Sequence, residues 1–400
     1  MYSQVRVRPV VYLILLLAIL TLALMAAGFY ATAVGAASHS DDEGRLTVSG
    51  YELLGTVDFQ TGFQFAGTEV GGLSSITYDP NRKVYYTISD DQSQIDPARF
   101  YTLQVDLGDG SLDDGDISFL EVTTLLDENG EPFAPQSLDP EGIVLAQEGI
   151  LYFSSEGNSI ASPPIDPFIN RINLNGRHTR ALPVPDKFLP DGSTVGVRFN
   201  LGFESLTVTP DRKTLYTATE AALFQDGPAA DVGQESLARI LQYETGRKRP
   251  GHEYVYVVDP VADPPVPPNA FRVNGLVELL PIDNAGTQLA MERSFSVGVD
   301  NDVNLFEIQT QDASDVSGYF SLFDPVTGVP VDFEPVDKRF LLDVEDDLGI
   351  VPDNLEGMTF GPRLPDGRPL LIMVSDNNFS AFQTTQFIAL ALEVEAVPGD

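Results

Sequence analysis

The stretch NLEGMTFGP, residues 354–362, opens an apolar β-type run with a glutamate and a glycine, and VSDNN, residues 374–378, closes the next run with an acid. Related pieces open similar pairs of runs earlier in the chain. They are LSSITY (residues 73–78), PEGIVL (140–145), FESLTV (203–208) and, more loosely, LVELLP (276–281). Intervals of about 60 to 80 residues leave room for four strands with their loops in each unit. The sequence therefore predicts five repeated units, with room for a divergent sixth between residues 301 and 347.

The repeat indicates the fold class. After the N-terminal segment the chain consists of short β-type runs broken by Gly, Pro, Asn and Asp, such as VYYTIS (residues 84–89) and TLYTAT (214–219). Such runs are typical of all-β sandwiches, barrels and propellers, and a long repeat favours the propeller. We predict an all-β domain over residues 46–396, a β-propeller of five to six four-stranded blades. A strand near Leu46–Val57 would close the ring by pairing with FIALALEV (387–394).

The N-terminal segment has the pattern of an export signal. Arg6 and Arg8 precede an apolar run from Val10 to about Ala37, which ends in small residues. A positive flank, an apolar centre and an Ala-rich exit are typical of a secretory signal, and a run of about 20 residues is also long enough to anchor the chain. We predict a signal peptide or signal-anchor helix over residues 1–37. The remainder would be secreted, periplasmic or at the outer cell envelope, touching a membrane only through an uncleaved N-terminal segment.

The composition excludes several classes of site. Acids outnumber bases 59 to 23, for a formal net charge of −36, which repels nucleic acid and attracts cations. The chain has no cysteine and three histidines, so thiolate chemistry is excluded and histidine-based hydrolysis is disfavoured. The negative charge either serves only to keep a secreted protein soluble or indicates oxygen-rich sites for a hard divalent cation, with calcium the suggested cofactor.

Carboxylates at equivalent positions of the units form the candidate site. A closed ring would bring the start of each first strand and the end of each second strand together at the mouth of a central channel, where like charges need positive partners. Arginines near the opening of the third run in most units could supply the charge. The outcome is either a structural ring of acid–arginine pairs or a calcium-loaded site that acidifies a water.

The ordered motifs resemble the secreted bacterial family called esterase-like activity of phytase, or phytase-like domain. The resemblance covers about residues 50–393. It depends on GTEVGGLSSITYDP, YYTISDD, DPEGIVL, SSEGN, NLGFESLTVTPD, LYTATE, MERSFS, NLEGMTFGP and VSDNN, in that order. The resemblance implies a β-propeller similar in style to calcium-dependent alkaline phytases, and hydrolysis of phosphate or other esters.

Together, the residues and the resemblance lead to a set of assigned roles. The expected catalytic residues are Glu141, Glu204 and Glu356; the expected metal-binding residues are Asp90, Asp91, Glu156, Glu220 and Asp376; and the expected substrate-binding residues are Arg99, Arg171, Arg239 and Arg293. We predict an exported, calcium-assisted esterase or phosphatase that hydrolyses a small-molecule ester with an activated water. The alternative is a non-catalytic propeller that binds a ligand or a protein at the cell envelope.

Overall fold

Five four-stranded antiparallel sheets make up the described part of the chain. The computed structural model describes residues 44–247 and 249–398, so the predicted signal or anchor helix at residues 1–37 lies outside the described residues. Inner strands of successive sheets contact one another in a closed cycle, as in a β-propeller. The predicted fold class is confirmed, with five blades.

Blades 1 to 4 each take four consecutive strands. Blade 1 contains β4 (Leu73–Asp79), β5 (Val84–Ser89), β6 (Arg99–Val105) and β7 (Ile117–Thr124). Blade 2 contains β8 (Pro140–Gln147), β9 (Ile150–Ser155), β10 (Phe168–Asn173) and β11 (His178–Leu182). Blade 3 contains β12 (Phe203–Val208), β13 (Thr214–Thr219), β14 (Ser236–Glu244) and β15 (Pro250–Val258). Blade 4 contains β16 (Arg272–Pro281), β17 (Thr287–Ser296), β18 (Asp300–Gln309) and β19 (Asp337–Asp343).

Blade 5 joins the two ends of the domain. It contains β20 (Asn354–Phe360), β21 (Leu370–Asp376), β22 (Thr384–Ala396) and, at its outer edge, β1 (Leu46–Gln60). The pairing of β1 with β22 runs from Leu46 opposite Ala396 to Gln60 opposite Thr384, which confirms the predicted closing strand. The segment with room for a sixth unit instead supplies most of β18, a long loop at residues 310–336 and β19, all in blade 4.

Within residues 44–247 and 249–398, only small elements lie outside the blades. They are β2 (Gln64–Phe65), β3 (Thr68–Glu69), two 3-10 turns (Asp186–Phe188 and Phe224–Asp226) and helix α1 (Val344–Leu348). Among the residues that the structure describes, no helix has both the length and the apolar character needed to cross a membrane.

The core consists of one apolar layer between each pair of neighbouring blades. Leu390 of blade 5 packs in a layer with Leu305 of blade 4, and Phe387 of blade 5 packs in another with Tyr101 of blade 1. Corresponding layers join blades 1 and 2, 2 and 3, and 3 and 4. Burial on both faces explains why a strand such as β21 is a nearly continuous apolar run.

A β-bulge interrupts the innermost strand of every blade near its start. The shifts in register fall between Leu73 and Ser75, Pro140 and Ile143, Phe203 and Leu206, Leu276 and Glu278, and Leu355 and Gly357. A bulge releases a residue from the ladder and re-aims its side chain. The five positions matched from sequence (Ser74, Glu141, Glu204, Val277 and Glu356) all lie within these bulges, so the repeat alignment identified equivalent positions.

Candidate active site and metal centre

The bulges direct the three repeated glutamates to one cavity. Glu141, Glu204 and Glu356 all line a cavity of about 1140 Å³ at the mouth of the central channel. Each of these glutamates is only 8% exposed. The structure therefore brings together the three residues that sequence reasoning assigned to catalysis.

A second set of acids lies near the end of the second strand in four blades, each acid directly after the residue that pairs with the residue at the start of the inner-strand bulge. Ser89 pairs with Leu73, and Asp90 comes next; the same register places Glu156, Glu220 and Asp376 in blades 2, 3 and 5. These four residues gather around the bulge glutamates. We call the eight carboxylates of this region the acid ring: Asp90, Asp139, Glu141, Glu156, Glu204, Glu220, Glu356 and Asp376.

Blade 4 breaks the pattern with an arginine. Leu276 pairs with Glu292, so the position equivalent to the other blades' acids is held by Arg293. The Arg293 Nη2 donates to Glu356 Oε1 at 3.0 Å and lies 3.6 Å from Glu220 Oε1. Glu292 is turned away and accepts hydrogen bonds from the Tyr256 hydroxyl at 2.7 Å and from Lys338. Arg293 is thus a built-in counter-ion on one side of the acid ring.

The opposite side of the acid ring is a three-carboxylate corner. Asp139, Glu141 and Glu156 each offer an oxygen, and these oxygens lie within 4.8 Å of one another. Gln92 Nε2 donates to Asp139 Oδ2 at 2.6 Å, and the Gly202 N–H donates to Glu156 Oε2 at 2.9 Å. Among the described residues, no salt bridge to Lys, Arg or His involves any of the three. We call this group the acid corner.

Two glycines let the acids of one blade lie over the strand of the next. A Cβ on Gly275 would overlap Glu220 Cγ, and a Cβ on Gly202 would lie 2.8 Å from Glu156 Cβ. Both glycines immediately precede the residue at which the inner-strand bulge begins, Phe203 in blade 3 and Leu276 in blade 4. Because no side chain intervenes, Glu156 and Glu220 approach the strands of the following blades closely.

Burial and mutual repulsion keep the acids hard to ionise. Burial raises the pKa of Asp139 to about 6, although its hydrogen bond with Glu156 and the one from Gln92 oppose that rise. Burial, followed by the charge of Glu204, raises the pKa of Glu141 well above its ordinary value. Burial also raises the pKa of Glu356 to about 7, against the lowering effect of Arg293. Carboxyls in such a state bind either a proton or a cation.

The donor set fits a hard divalent cation. Asp90 Oδ1 and Glu220 Oε1 are buried without a hydrogen-bond donor, so the acid ring has oxygen capacity that the protein itself leaves unused. The acid corner supplies three further carboxylates and no nitrogen or sulfur. All-oxygen sites suit Ca²⁺ or Mg²⁺ rather than a softer transition metal.

Three of the four predicted substrate-binding arginines lie away from the acid ring. Arg99 Nη1 donates to Asp91 Oδ2 at 2.7 Å, and the Arg99 Nε donates to the Tyr101 hydroxyl at 2.7 Å. Arg171 donates to Thr179 Oγ1 on the neighbouring strand. The third, Arg239, is fully buried against Asp226 and Glu253. Of the predicted set, only Arg293 lines the cavity.

Asp91 is also separate from the other predicted metal-binding residues. Its Oδ2 binds Arg99, and its two oxygens accept the backbone N–H groups of residues 94–96 at 2.8–3.1 Å. These contacts occupy the carboxylate fully and lower its pKa despite burial. Asp91 shapes its own loop, whereas the adjacent Asp90 faces the cavity.

Sequence reasoning missed two acids, Asp139 and Glu278. Asp139 precedes Pro140, at a position held elsewhere by glycine or asparagine, so the repeat provided no signal beyond the DPE sequence itself. Glu278 Oε2 accepts from Ser75 Oγ at 3.1 Å, and the carboxyl also accepts backbone N–H groups of Leu206, Leu279 and Met358. It therefore ties the inner strands of blades 1, 3, 4 and 5 together at the axis.

Comparisons with known proteins agree with the ordered motifs. A family model described as "Esterase-like activity of phytase" matches residues 68–379, more than half of the chain. An "Uncharacterized secreted protein" of Arthroderma benhamiae is 34% identical over 148 residues, which is 32% of this chain and 28% of that protein. The chain thus spans well under two thirds of that relative. The periplasmic gluconolactonase of Pseudomonas aeruginosa aligns over 83% of this chain and 90% of its own, at 12% identity and a TM-score of 0.32.

Proposed function

Because this chain belongs to the phytase-like family with esterase-like activity, we propose that it is an exported hydrolase of small-molecule esters, assisted by a divalent cation, with calcium the expected ion. Export is supported by the signal-like pattern at residues 1–37 and by a relative whose name describes it as secreted. The acid ring would be the active site.

One observation carries the proposal. The acid corner concentrates three buried carboxylates within 4.8 Å, while the nearest cationic side chain of the acid ring, Arg293, pairs with Glu356 and Glu220 on the other side. Such a group is costly unless protons or a cation neutralise it. Asp139, Glu141 and Glu156 would hold the ion.

The chain's own residues fit ester hydrolysis around that ion. A bound divalent cation would act as a Lewis acid that polarises an ester oxygen and lowers the pKa of a nearby water. Glu356, with its pKa of about 7, is suited to accept a proton from the attacking water near neutral pH. Glu204 and Glu220 are hydrogen-bonded to each other and can hold one proton between them. Arg293 would donate to the oxygen on which negative charge develops.

The test is turnover by the full chain after chelation, with and without added calcium. The substrate is p-nitrophenyl butyrate, and the matched variants are Asp139→Asn and Glu235→Gln. We expect hydrolysis that calcium restores, a loss of about 100-fold in kcat for Asp139→Asn, and little change for Glu235→Gln, an exposed acid outside the cavity. A calcium-induced rise in Tm with no turnover of any ester would instead support a non-catalytic binding propeller.

A further inference from the structure

The cavity above the acid ring has a strong excess of negative charge. Ten carboxylate residues line it: Asp58, Asp90, Asp139, Glu141, Glu204, Glu220, Asp300, Asp353, Glu356 and Asp376. Two arginines, Arg272 and Arg293, are the only cationic side chains among its described lining residues. Two arginines and one divalent ion together carry four positive charges, against ten carboxylate groups in the lining.

Both arginines are already engaged by carboxylates. Arg272 forms a bidentate salt bridge with Asp231, in which Nη2 donates to Oδ2 at 2.8 Å and Nε donates to Oδ1. Arg293 donates to Glu356 at 3.0 Å. Sites that recognise phosphate monoesters present free guanidinium, ammonium or clustered backbone N–H donors to the dianion. In the described lining of this cavity, Arg272 is held by Asp231, and Arg293 keeps one unpartnered donor, its buried Nε, while its charge is already opposed by Glu356 and Glu220.

Aromatic side chains surround the opening from separate loops. Phe199 precedes blade 3, Phe271 precedes β16, and Phe382 lies between β21 and β22, so the three approach from different blades. They are 44%, 66% and 99% exposed. Exposed apolar groups around a polar pocket mark a surface that an apolar ligand covers.

We propose that the ester hydrolysed in this cavity carries no negative charge and has an apolar or aromatic group that packs against Phe199, Phe271 and Phe382. The acid ring repels phosphate monoesters and polyphosphates, and the phenylalanines bind the apolar group. The inference rests on the proposed function for the hydrolysis step, and on the cavity alone for the charge and apolar character of the ligand.

Binding without turnover tests the ligand class. Two probes that share a phenyl ring are titrated calorimetrically into the calcium-loaded full chain: butyranilide, an uncharged amide, and phenyl phosphate, a dianion. We expect butyranilide to bind at least tenfold more tightly than phenyl phosphate. Phe271→Ala and Phe382→Ala should each weaken butyranilide by about tenfold, because each removes apolar area that the ligand buries. Phe320→Ala, which removes a 52% exposed phenylalanine outside the cavity lining, is the matched control.

Turnover separates this inference from the proposed function. Substrates with a common leaving group, p-nitrophenyl butyrate and p-nitrophenyl phosphate, are compared with calcium present. Preference for the butyrate, with a KM raised by Phe271→Ala, supports both proposals. Efficient hydrolysis of the phosphate, or tighter binding of phenyl phosphate, overturns the ligand class and leaves the ester hydrolase standing. If butyranilide binds but neither ester is hydrolysed, the proposed function is overturned and the proposed ligand class is retained. If neither probe binds, the proposed ligand class is overturned.

Discussion

Two clusters of buried charge in this propeller differ in how their charges are balanced. In the first, which we call the clasp, Arg239 Nε donates to Asp226 Oδ2 at 2.6 Å, and Glu253 Oε2 accepts from Arg239 Nη1 at 2.9 Å and from Lys187 Nζ at 3.1 Å. The two carboxylates of the clasp are therefore balanced by two cationic side chains. The acid ring has eight carboxylates, and one arginine, Arg293, contacts it. A balanced cluster is complete by itself, whereas an unbalanced one must take up protons or a cation.

The two clusters also differ in what they connect. In the clasp, Lys187 Nζ donates to the Ser317 carbonyl at 2.7 Å, and Asp226 Oδ1 accepts the Leu322 N–H at 2.7 Å. The two contacts fix the blade-4 loop at residues 310–336 to the turn Asp186–Phe188, which precedes blade 3, and to the turn Phe224–Asp226 within blade 3. The acid ring instead opens to a cavity of about 1140 Å³. The difference indicates a structural role for the clasp and a ligand-binding role for the acid ring.

Breaking the clasp should have the largest effect on stability. Arg239→Met leaves Asp226 and Glu253 buried with reduced compensation, and we expect the free energy of unfolding to fall by about 4 kcal/mol. Urea denaturation measures it. Arg171→Met is the control, because the Arg171 side chain donates one hydrogen bond in the described structure, to Thr179 Oγ1. This substitution should lower the free energy of unfolding by less than about 0.5 kcal/mol. Equal losses in both variants would contradict the structural role of the clasp.

The acid ring should make stability depend on pH when calcium is absent. The folded-state pKa values of Asp139 and Glu356, about 6 and about 7, lie above those of the unfolded chain. Between pH 4.5 and 7 the folded state therefore binds more protons than the unfolded state, so stability is greatest at the acidic end and falls as pH rises. We expect a loss of about 3 kcal/mol over this range. Urea denaturation at several pH values measures it.

Calcium should remove most of that dependence. The ion takes the place of the protons, so the free energy of unfolding should vary much less with pH at saturating calcium. Asp139→Asn should retain a pH-dependent loss with calcium present. A calcium-free protein whose stability rises from pH 4.5 to 7 would contradict the proposed excess of buried negative charge.

Calcium should also raise Tm through the acid ring and not through the clasp. At about 100 times its dissociation constant the ion should stabilise the folded state by about 2.7 kcal/mol. The rise in Tm should persist in Arg239→Met and disappear in Asp139→Asn. A rise of equal size in Asp139→Asn would place the ion elsewhere.

Arg293→Lys should have the smallest effect. Lysine retains the positive charge beside the acid ring, but it lacks the planar guanidinium whose Nη2 lies 3.0 Å from Glu356 Oε1 and 3.6 Å from Glu220 Oε1 and whose other nitrogens remain as donors. We expect kcat for p-nitrophenyl butyrate to fall about tenfold with little change in Tm. An unchanged kcat would assign Arg293 to charge balance alone.

The repeat made the fold and seven of the eight carboxylates of the acid ring predictable. Residues that recur at the bulge, such as Glu141, Glu204 and Glu356, were found because circular closure brings equivalent positions together. Asp139 and Glu278 were missed because their equivalents in other blades are small or neutral, such as Gly202 and Gly357. A residue that occurs once in a repeat leaves no periodic signal.

The arginines show a second limit. Arg99 and Arg239 open β-type runs at similar places in their units, yet both are directed into contacts between a strand and its neighbouring loops. Spacing identifies the strand on which a residue lies. The face of the sheet toward which its side chain points depends on the register, and a shift of one residue reverses that face. The same shift separates Glu292, bound to Lys338, from Arg293 in the acid ring.

A crystal structure of the full chain grown with calcium tests the central claim most directly. We predict anomalous density for one ion bound by oxygens of Asp139, Glu141 and Glu156, on the side of the acid ring opposite Arg293. A calcium-containing crystal in which this corner holds no ion, or in which the ion binds elsewhere while Asp139 keeps only its contact with Gln92, would contradict the claim.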